Sequence, residues 1–542
     1  MQEHSDTAST GPSPSPNDAD ARLRGWWFFP LGVLAVAGVL IAAAMLSRAT
    51  PDYKAVFSII LVVVSYLLLI GWVGLYAPMS RAKRWSAAAA MVLLAAAPFA
   101  AYRPEFDGDM ALMRFMPRWS APADAALDTA RQQGTADLSA TTAWDYTQFL
   151  GPDRHPVVEG VRLATDWESN PPELLWRQPI GAGSSGFAVV GRFAVTQEQR
   201  GDNEMVICYE VPTGKVVWTR SDSGRFISVM GGDGPRATPT IDDGKVYTLG
   251  ATGVLNCLDG ATGKLIWQHD ILEENGAANL EWGISGSPLV VEGLVIVSAG
   301  APDGKSLLAY EKESGELAWS GGSDVASYAS PALATLGGER QVLMVNQDYV
   351  VGHRLTDGEV LWRHAWPGKS NANASASQPV VVPGDRVLLS KGYGIGCTLL
   401  KIEHGALGEW QATAVWDPPV LRHLKTKLTN VAVRDGLVFG LDGGILQCVE
   451  LDSGKSLWKG GRYGHGQIIL VGEVLLVTAE SGEVALVEAS GEQYRELTRF
   501  QAIEGRTWNN PALSGAHLLV RNHLEAACYV LPLKDQATLA GR

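Results

Sequence analysis

A strand–turn–strand unit that ends in tryptophan recurs along the chain and restricts the fold more than any other feature. One copy, CLDGATGKLIW, spans 257–267, and related copies span 208–218 and 448–458. Aligning the copies on the aromatic residue gives a series with a mean spacing of about 47 residues, which is typical of a four-stranded propeller blade. The series consists of Trp176, Trp218, Trp267, Trp319, Trp362, Trp416 and Trp458.

The copies also predict how the ring of blades closes. A complete copy such as 237–270 alternates short apolar strands with turns rich in Gly and Asp. The seventh copy is predicted to place Phe500 at the tryptophan position. The last copy, 508–533, has three strands, and ELLWRQPI at 173–180 is predicted to supply the fourth, because closure removes exposed sheet edges. The sequence therefore predicts an all-β, eight-bladed β-propeller with four-stranded blades over 173–535.

The repeated cysteines raise the question of whether they carry chemistry. Cys208, Cys257 and Cys448 share one repeat position, at which other copies have Ala309 or Gly352. A position that accepts Cys, Ala or Gly needs a small buried side chain. Equivalent positions on different blades are too far apart for a disulfide, which needs Cα atoms within about 7 Å. We expect these cysteines, with Cys397 and Cys528, to be reduced and structural rather than redox-active.

The N-terminal third has a different character. Residues 1–25, rich in Ser, Pro and Asp, are predicted to be a disordered cytoplasmic tail. Three apolar runs, 26–47, 55–77 and 86–102, are predicted to be transmembrane helices. The alternative is a buried helical hairpin in a soluble domain, which uncharged runs of this length disfavour.

Basic residues next to the apolar runs predict sidedness. Arg22 and Arg24 precede the first run, and Arg81, Lys83 and Arg84 precede the third. This bias favours a cytoplasmic N-terminus, so three spans place the propeller outside the cytoplasm. If the third run does not span, the sidedness inverts. We expect an integral protein of the bacterial inner membrane with a periplasmic or other extracytoplasmic propeller.

Between the helices and the propeller, two further segments are predicted. Residues 103–143 have no clear periodicity and are predicted to be a linker, with a partly helical stretch at 121–132. Residues 144–172 form a lead-in segment in which the texture changes to that of a β protein.

Charge and motifs exclude several classes of function. The formal net charge is −13 and the isoelectric point about 5.3, which argues against a nucleic-acid partner. The sequence contains no P-loop, no nucleophile elbow and no CxxCH haem motif. Its histidines are scattered singly and lack metal-ligand spacing.

The repeat resembles a known family of propellers. TPTIDDGKVYTLGATGVLNCLDGATGKLIW (238–267) is similar to the repeat of quinoprotein-type propellers, which include pyrroloquinoline quinone (PQQ) alcohol dehydrogenases and BamB-type lipoproteins. The resemblance covers roughly 173–533 and implies the fold, but that fold serves both enzymes and scaffolds. WDYTQFLGP (144–152) is similar to segments that precede such propellers in multi-domain bacterial relatives.

The resemblance implies a test of the enzyme interpretation. A PQQ alcohol dehydrogenase would show adjacent cysteines against the quinone and ligands for Ca²⁺, yet no Cys-Cys pair is present. Asp233, Glu281, Asn430 and Asn509 are candidate Ca²⁺ ligands, but their spacing matches no motif. We therefore expect a membrane-anchored, non-catalytic scaffold that binds a protein partner or a small ligand. The alternative is a PQQ-dependent dehydrogenase that uses PQQ and Ca²⁺ in the central channel.

The links between consecutive blades are the least repetitive stretches and are predicted to carry the binding site. They cross one face of a propeller and end at its central channel. Aromatic faces, amides and isolated cations at the channel mouth would suit a flat or anionic small molecule. A water-filled structural channel is the alternative. The candidate residues are Arg236, Trp282, Tyr328, Lys427, Asn430, His465, Trp508 and Asn509.

Overall fold

The computed structural model describes residues 28–47, 51–106, 112–130, 132–228, 231–368, 370 and 373–534. The tail predicted at 1–25 lies outside the described residues. The chain divides into two compact units, a helical unit that ends at Ala121 and a β unit that begins at Pro122.

Three helices make up most of the N-terminal unit: α1 (Phe28–Leu46), α2 (Pro51–Tyr76) and α3 (Arg81–Ala101). Each is long and apolar enough to cross a membrane. Only 6% of the residues in each membrane-length window are buried, so the unit leaves apolar surface that water would not favour. Helix α3 begins earlier than the predicted third run because it continues through the basic residues that precede the apolar stretch.

The segment predicted as a linker contains regular structure. Strands β1 (Tyr102–Phe106) and β2 (Leu112–Pro117) form an antiparallel hairpin directly after α3. Within the stretch predicted as partly helical, the structure has a single 3₁₀ turn, Ala123–Ala126. The alanines there favour a helix locally but supply no apolar stripe that would pack it.

Eight antiparallel sheets, blades 1 to 8, make up the β unit. Blade 1 contains β5 (Ala188–Val190), β6 (Phe193–Arg200), β7 (Asn203–Glu210) and β8 (Val216–Ser223), and blade 2 contains β9 (Thr240–Asp242), β10 (Lys245–Leu249), β11 (Val254–Asp259) and β12 (Leu265–Asp270). Blade 3 contains β13 (Leu289–Val291), β14 (Leu294–Ala301), β15 (Lys305–Glu311) and β16 (Leu317–Gly321), and blade 4 contains β17 (Ala332–Leu336), β18 (Glu339–Val345), β19 (Tyr349–Arg354) and β20 (Val360–Ala365). Blade 5 contains β21 (Val380–Val382), β22 (Arg386–Lys391), β23 (Gly396–His404) and β24 (Trp410–Ala414). Blade 6 contains β25 (Ala432–Arg434), β26 (Leu437–Asp442), β27 (Ile445–Glu450) and β28 (Ser456–Arg462). Blade 7 contains β29 (Gln467–Val471), β30 (Val474–Thr478), β31 (Glu483–Glu488) and β32 (Glu496–Gln501). Blade 8 contains β33 (Ala512–Ser514), β34 (His517–Arg521), β35 (Glu525–Val530) and β4 (Glu173–Pro179).

The two ends of the β unit share blade 8, as the sequence predicts. Strand β4 pairs antiparallel with β35 and places Trp176 opposite Cys528. Blade 7 has a fifth strand, β3 (Val157–Val158), which pairs parallel with the inner strand β29. The eight-bladed, four-stranded architecture is confirmed, and the ring leaves no unpaired strand at its closing seam.

Each regular tryptophan is fastened to the next blade by a contact that we term the Trp–Gly latch. The Trp218 indole N–H donates to the carbonyl oxygen of Gly260 at 2.9 Å. Gly263 lies over the same ring, and a Cβ there would approach Trp218 to 2.4 Å. Gly263 also has a φ of +66°, so both its backbone conformation and the lack of space beside the ring favour glycine at this position. The latch recurs at Trp176 with Gly214, Trp267 with Gly315, Trp319 with Gly358 and Trp416 with Gly454.

The seam between blades 4 and 5 lacks the latch. Trp362 donates its indole N–H to Gln341 Oε1 on its own blade at 2.7 Å. Gly408 stands in the corresponding turn of blade 5. A Cβ added there would have no neighbour within 4 Å, so no tryptophan ring lies against this glycine. The Trp362 indole also crosses Gly352, where a Cβ would lie 2.3 Å from Nε1. This crossing explains why glycine replaces cysteine at the repeat position of blade 4.

A buried lysine spans the same seam instead. Lys391 of blade 5 is 1% exposed and donates to the carbonyl oxygens of Gln347 and Trp366 at 3.0 and 2.6 Å. Burial lowers the pKa of Lys391 to about 8. Next to it, Asn346 is equally buried, and neither of its side-chain polar atoms has a hydrogen-bond partner. A hydrophobic cluster that includes Trp362, Trp366 and Leu389 also fills this seam, so Lys391 adds hydrogen bonds between blades to apolar packing.

The prediction for blade 7 was wrong in one residue. In blade 1 the tryptophan pairs with Cys208 directly before a bulge in the strand pairing. In blade 7 the pair directly before the bulge is Leu486 with Thr498, so Thr498, not Phe500, stands at the tryptophan position. Phe500 lies two residues further along β32. It contacts Trp167 of the lead-in segment edge to face at 5.4 Å and Tyr529 of blade 8 at 4.9 Å. An aromatic residue from outside the repeat therefore fills the space at this seam.

The five cysteines are free and buried, as predicted. Cys208, Cys257 and Cys448 face the tryptophans of their own blades across the sheet. Burial raises the pKa of Cys257 to about 11 and that of Cys448 to about 12, and it raises the pKa of Cys208 further. Thiols held in this state are poor nucleophiles at neutral pH.

Candidate functional site

The strand order defines two faces of the ring. The links from one blade's outer strand to the next blade's inner strand lie on the same side as the turns between second and third strands. We call this side the link face. The tight turns that join inner strands to second strands lie on the other side, which we call the turn face. All the predicted site residues belong to the links.

The lead-in segment runs across the channel near the turn face. The amide of Ile241 in blade 2 donates to Thr147 O at 2.8 Å, and the amide of Val433 in blade 6 donates to His155 Nε2 at 3.3 Å. Blades 2 and 6 stand opposite each other in a ring of eight, so the chain between Thr147 and His155 crosses the axis. Further contacts tie the segment to blades 1, 7 and 8: Tyr146 with Val189, Val157 with Leu470, and Leu163 with Leu533.

Arg154 lies near the end of this crossing, directly before His155. Its guanidinium donates to the carbonyl oxygens of Ser287 and Pro288 at 3.0 and 2.9 Å and to Gln148 Oε1 at 3.0 Å. Burial lowers the pKa of Arg154 to about 9. The lead-in thus satisfies inner-strand groups that would otherwise face the channel.

A series of hydrogen bonds between blades surrounds the channel below the links. The amide of Gly186 donates to Thr238 Oγ1 at 3.1 Å, that of Thr238 to Ser287 Oγ at 2.9 Å, and that of Ser287 to Ser330 Oγ at 2.9 Å. The accepting residues Thr238, Ser287 and Ser330 each stand directly before a proline, in a Ser-Pro or Thr-Pro motif that recurs at the start of the inner strands. The motif therefore has a structural role in joining inner strands.

Two of the predicted site residues belong to this structural layer. Asn430 Oδ1 accepts from the amide of Gln378 at 2.8 Å, in the manner of the serines. Asn509 Nδ2 donates to the carbonyl oxygens of Gly183 and Ser185, both at 3.0 Å. Both asparagines are buried. Their placement makes them part of the wall of the channel.

An aromatic group forms on the link face of blades 2 to 5. Trp282 stacks on Tyr328 with ring centroids 4.8 Å apart. Tyr393, from the turn between the second and third strands of blade 5, lies 6.3 Å from Trp282, and Lys427 Nζ lies 5.6 Å from the Tyr393 ring. Burial raises the pKa of Tyr328 to about 12. The structure brings together Trp282, Tyr328 and Lys427, whereas Tyr393 was missed because only the links were searched.

A second group lies on blades 7 and 8. Trp508 donates its indole N–H to Glu480 Oε1 at 2.9 Å, and the amide of His465 donates to the other oxygen of Glu480 at 2.9 Å. The rings of His465 and Trp508 meet edge to face at 6.4 Å. The Arg506 guanidinium lies 4.0 Å from the Trp508 ring centroid. Arg506 stands in a predicted link, GRTWNNP, but was not singled out.

Arg236, the remaining predicted residue, lies beside His523. Its guanidinium donates to the carbonyl oxygens of Gly232 and Gly234 and lies 4.8 Å from the Phe226 ring centroid. A Cβ on Gly232 would approach the His523 ring to 2.7 Å. His523 belongs to a turn in blade 8 that the sequence reasoning did not consider. The predicted residues therefore occupy several neighbouring groups rather than a single one.

The candidate Ca²⁺ ligands named from the sequence lie in different surroundings. Asp233 is paired with Arg225 at 2.9 Å, Glu281 is exposed, and Asn430 Oδ1 accepts from Gln378, whereas Asn509 Oδ1 is buried without a hydrogen-bond partner. Among the described residues, no group of three or more His, Cys, Asp or Glu side chains is arranged to hold a metal ion. Two of the four predicted Ca²⁺ ligands, Asp233 and Asn430, therefore already have partners in the structure.

Comparison with known proteins places the fold among related propellers. A family model described as outer membrane protein assembly factor BamB matches residues 169–270 and 220–460, which together make up more than half of the chain. The BamB protein of Xanthomonas campestris pv. campestris is 34% identical over 87 residues, which are 16% of this chain and 21% of that protein. This match spans about a fifth of the relative's length.

Solved structures with the same architecture include quinohemoprotein alcohol dehydrogenases. The enzyme from Comamonas testosteroni aligns with a TM-score of 0.53 at 13% identity, covering 73% of this chain and 82% of that chain. A second, from Pseudomonas putida, aligns with a TM-score of 0.50 at 11% identity, covering 74% and 84%. At these identities the likeness shows the fold alone.

Proposed function

Since the chain belongs to the family described as outer membrane protein assembly factor BamB, we propose that it is a membrane-anchored scaffold whose propeller holds a protein partner on its link face. The name of this family makes a component or a client of outer-membrane protein assembly the first partner to test. The propeller performs no chemistry in this role; it supplies a rigid surface built from loops on a closed ring.

The crossing of the channel by the lead-in segment is the observation that carries the proposal. The segment crosses the channel near the turn face, whereas irregular loops meet on the link face. Two of these loops expose apolar side chains, Ile227 at 65% and Val325 at 55% exposure. Apolar side chains offered by irregular loops around polar groups are typical of surfaces that bind other proteins.

Site-specific photocrosslinking tests the surface. A photoreactive residue in place of Ile227 or Val325 is expected to capture the same partner from native membranes. The matched control replaces Leu317, an outer-strand residue with 52% exposure on the rim of blade 3. Capture from Leu317 alone, or equal capture from all three positions, would place the partner elsewhere.

The proposal also fixes the topology of the anchor. We propose a cytoplasmic N-terminus, three inner-membrane spans and a periplasmic propeller, because basic residues flank α1 and α3 on the side assigned to the cytoplasm. Reporter fusions after Arg84 and after Trp144 are expected to report opposite sides of the membrane. Two cytoplasmic reports would contradict three spans.

The alternative function, a PQQ-dependent dehydrogenase, has a direct assay. Purified protein is supplied with PQQ and Ca²⁺ and tested for dye reduction driven by alcohols or sugars. Because Asp233 and Asn430 already have partners, we expect no turnover. Substrate-dependent reduction that requires both additions would replace the scaffold proposal.

A further inference from the structure

The end of α3 and the hairpin that follows it carry exposed aromatic side chains, which we call the aromatic group. Its members are Phe99, Tyr102, Phe115 and Trp119, with exposed fractions of 54%, 39%, 46% and 74%. Phe99 stands in the last turn of α3, and the other three lie in the hairpin strands or just after them. Large apolar rings grouped on a surface mark a place where a protein contacts another protein or a membrane.

The four rings pack in two pairs that join the helix end to the hairpin. Phe99 and Phe115 meet edge to face with ring centroids 6.3 Å apart, and the centroids of Tyr102 and Trp119 lie 6.0 Å apart. Strand β1 begins at Tyr102, the residue directly after the end of α3. The aromatic group is therefore fixed at the C-terminal end of this helix.

Arg118 closes the end of α3 through both its backbone and its side chain. Its amide donates to Ala101 O at 2.9 Å, and its Nε donates to Phe99 O at 2.8 Å. The amide of Tyr102 donates to Pro98 O. Carbonyl groups at a helix end need such donors most where lipid replaces water, and a cation there also complements the helix dipole. The exposed guanidinium has further N–H groups to offer.

The length of α3 places this end at a membrane boundary. Its 21 residues rise about 31 Å, which matches a hydrocarbon core of about 30 Å. Arg81, Lys83 and Arg84 mark one boundary at the start of the helix, so Ala101 falls at the opposite one. Tyrosine and tryptophan favour this depth, because each combines an apolar ring with a polar atom.

The hairpin needs a second surface for its stability. Strands β1 and β2 form a two-stranded sheet of their own, to which no other strand in the described part of the chain is added. A two-stranded hairpin is marginally stable in water without such support. The exposed rings of the aromatic group are the apolar surface that the hairpin has available for this contact.

We propose that the hairpin lies in the headgroup region of the membrane, on the side opposite Arg81. Phe115 and Trp119 contact the upper part of the acyl chains, and the Arg118 guanidinium binds phosphate groups of the lipid headgroups. A guanidinium suits phosphate because it presents directed, charged donors. The hairpin thus fixes the depth of α3 in the bilayer. This inference rests on the proposed three-span anchor and deepens it.

Spin labels measure the depth of the hairpin in the full chain, reconstituted in nanodiscs of phosphatidylglycerol. The five native cysteines are buried, so a nitroxide reagent should react with an introduced cysteine alone. Labels are placed by Trp119→Cys and, with Trp119 intact, by Phe115→Cys. The control is Leu317→Cys on the rim of blade 3, where the native residue is 52% exposed.

The readout is the ratio of collisions with oxygen, which concentrates in lipid, to collisions with a nickel chelate, which stays in water. We expect this ratio to be severalfold higher at both hairpin positions than at position 317. A ratio equal to the control at either hairpin position overturns the proposal. Low accessibility to both reagents also overturns it, because a protein surface would then cover the rings.

The contact between Arg118 and phosphate has its own comparison. The Phe115→Cys label is measured in phosphatidylglycerol nanodiscs and in nanodiscs of a lipid with a neutral sugar headgroup. We expect a lower oxygen-to-nickel ratio in the sugar lipid, because the hairpin moves outward when the phosphate is absent. Adding Arg118→Gln should abolish this difference between the lipids, whereas adding Arg192→Gln on the propeller rim should preserve it. Equal ratios in the two lipids with Arg118 present would overturn the phosphate contact.

The reporter fusions test the anchor separately. If the fusions after Arg84 and after Trp144 report opposite sides while the hairpin labels report water, three spans stand and the hairpin proposal is lost. If the labels report lipid while both fusions report the cytoplasm, the membrane contact of the hairpin stands and the three-span topology is lost.

Discussion

The seam between blades 1 and 2 and the seam between blades 4 and 5 join equivalent strands by different means. In the first, Trp218 of blade 1 reaches across to Gly260 and lies under Gly263 of blade 2. In the second, Trp362 turns back to its own blade and Lys391 spans the gap. The difference shows that the recurrence of glycine and tryptophan in the sequence reflects contacts between blades rather than within them.

The largest expected effect comes from removing a latch. Trp218 is fully buried, so Trp218→Ala should cost about 3–5 kcal/mol of stability. Hydrogen exchange should increase in the blade 2 turn that contains Gly263 as well as in blade 1. An increase in hydrogen exchange confined to blade 1 would contradict the comparison, because the Trp218 indole would then not be stabilising blade 2.

A glycine substitution tests the other half of the latch. Gly263→Ala combines a positive φ with a Cβ 2.4 Å from Trp218 and should cost about 2–4 kcal/mol. Gly276→Ala, at a φ of +62° with nothing within 4 Å of its Cβ, is the matched control and should cost about 1 kcal/mol. The measurement is chemical denaturation of each variant beside the wild type. Equal losses would mean that backbone conformation alone selects glycine in these turns.

The irregular seam should instead respond to pH. Lys391 has its pKa lowered to about 8 in the fold from an ordinary value of 10.5. Between these values the unfolded chain holds a proton that the folded protein has released, so stability should rise as pH increases from about 8 to 10.5. Lys391→Met should flatten this part of the profile, and Lys401→Met at the exposed rim should keep it. An unchanged profile in Lys391→Met would assign the pH dependence to other groups.

The smallest expected effect concerns the crossing of the channel. His155 accepts a hydrogen bond from Val433 through Nε2, and burial lowers the pKa of His155 to about 4. The unfolded chain binds a proton on this residue below pH 6.5, so stability should fall as pH decreases from about 6.5 to 4. His155→Gln keeps an acceptor without titrating and should reduce the fall. Acid unfolding curves of the two proteins, compared over this interval, would show no difference if the crossing is insensitive to protonation.

The sequence predicted the ring well because its pattern is local. Spacing, turn glycines and tryptophans recur within single blades. The last repeat lacked a fourth strand, and the isolated ELLWRQPI strand was available to supply it. Phe500 was misplaced because the turn between β31 and β32, from Glu488 to Glu496, is longer than the equivalent turn of blade 1, so the spacing of the other repeats does not locate the tryptophan position in blade 7. The path of residues 144–165 across the channel could not be predicted, since it depends on contacts with blades far apart in sequence.

The candidate site was predicted in part for the same reason. The links identified the face and most of its aromatic and basic residues. Tyr393 and His523 were missed because they stand in turns between second and third strands, which share the link face only once the blades are folded. Asn430 and Asn509 resemble binding residues in sequence, yet the hydrogen bonds they make are those of the channel wall.

The shared blade has a consequence for how the protein is made. Arg177 of β4 contacts Tyr529 of β35, a residue 352 positions later in the chain. A ribosome therefore releases the N-terminal strand long before its partner exists, and the growing chain has to carry β4 unpaired until nearly the last strand is synthesised. Pairing over such a distance is slow, because the loop has to close before any contact rewards it. Premature termination between β32 and β35 should leave seven complete blades with two open edges, and such a nascent chain would depend on chaperones to avoid aggregation.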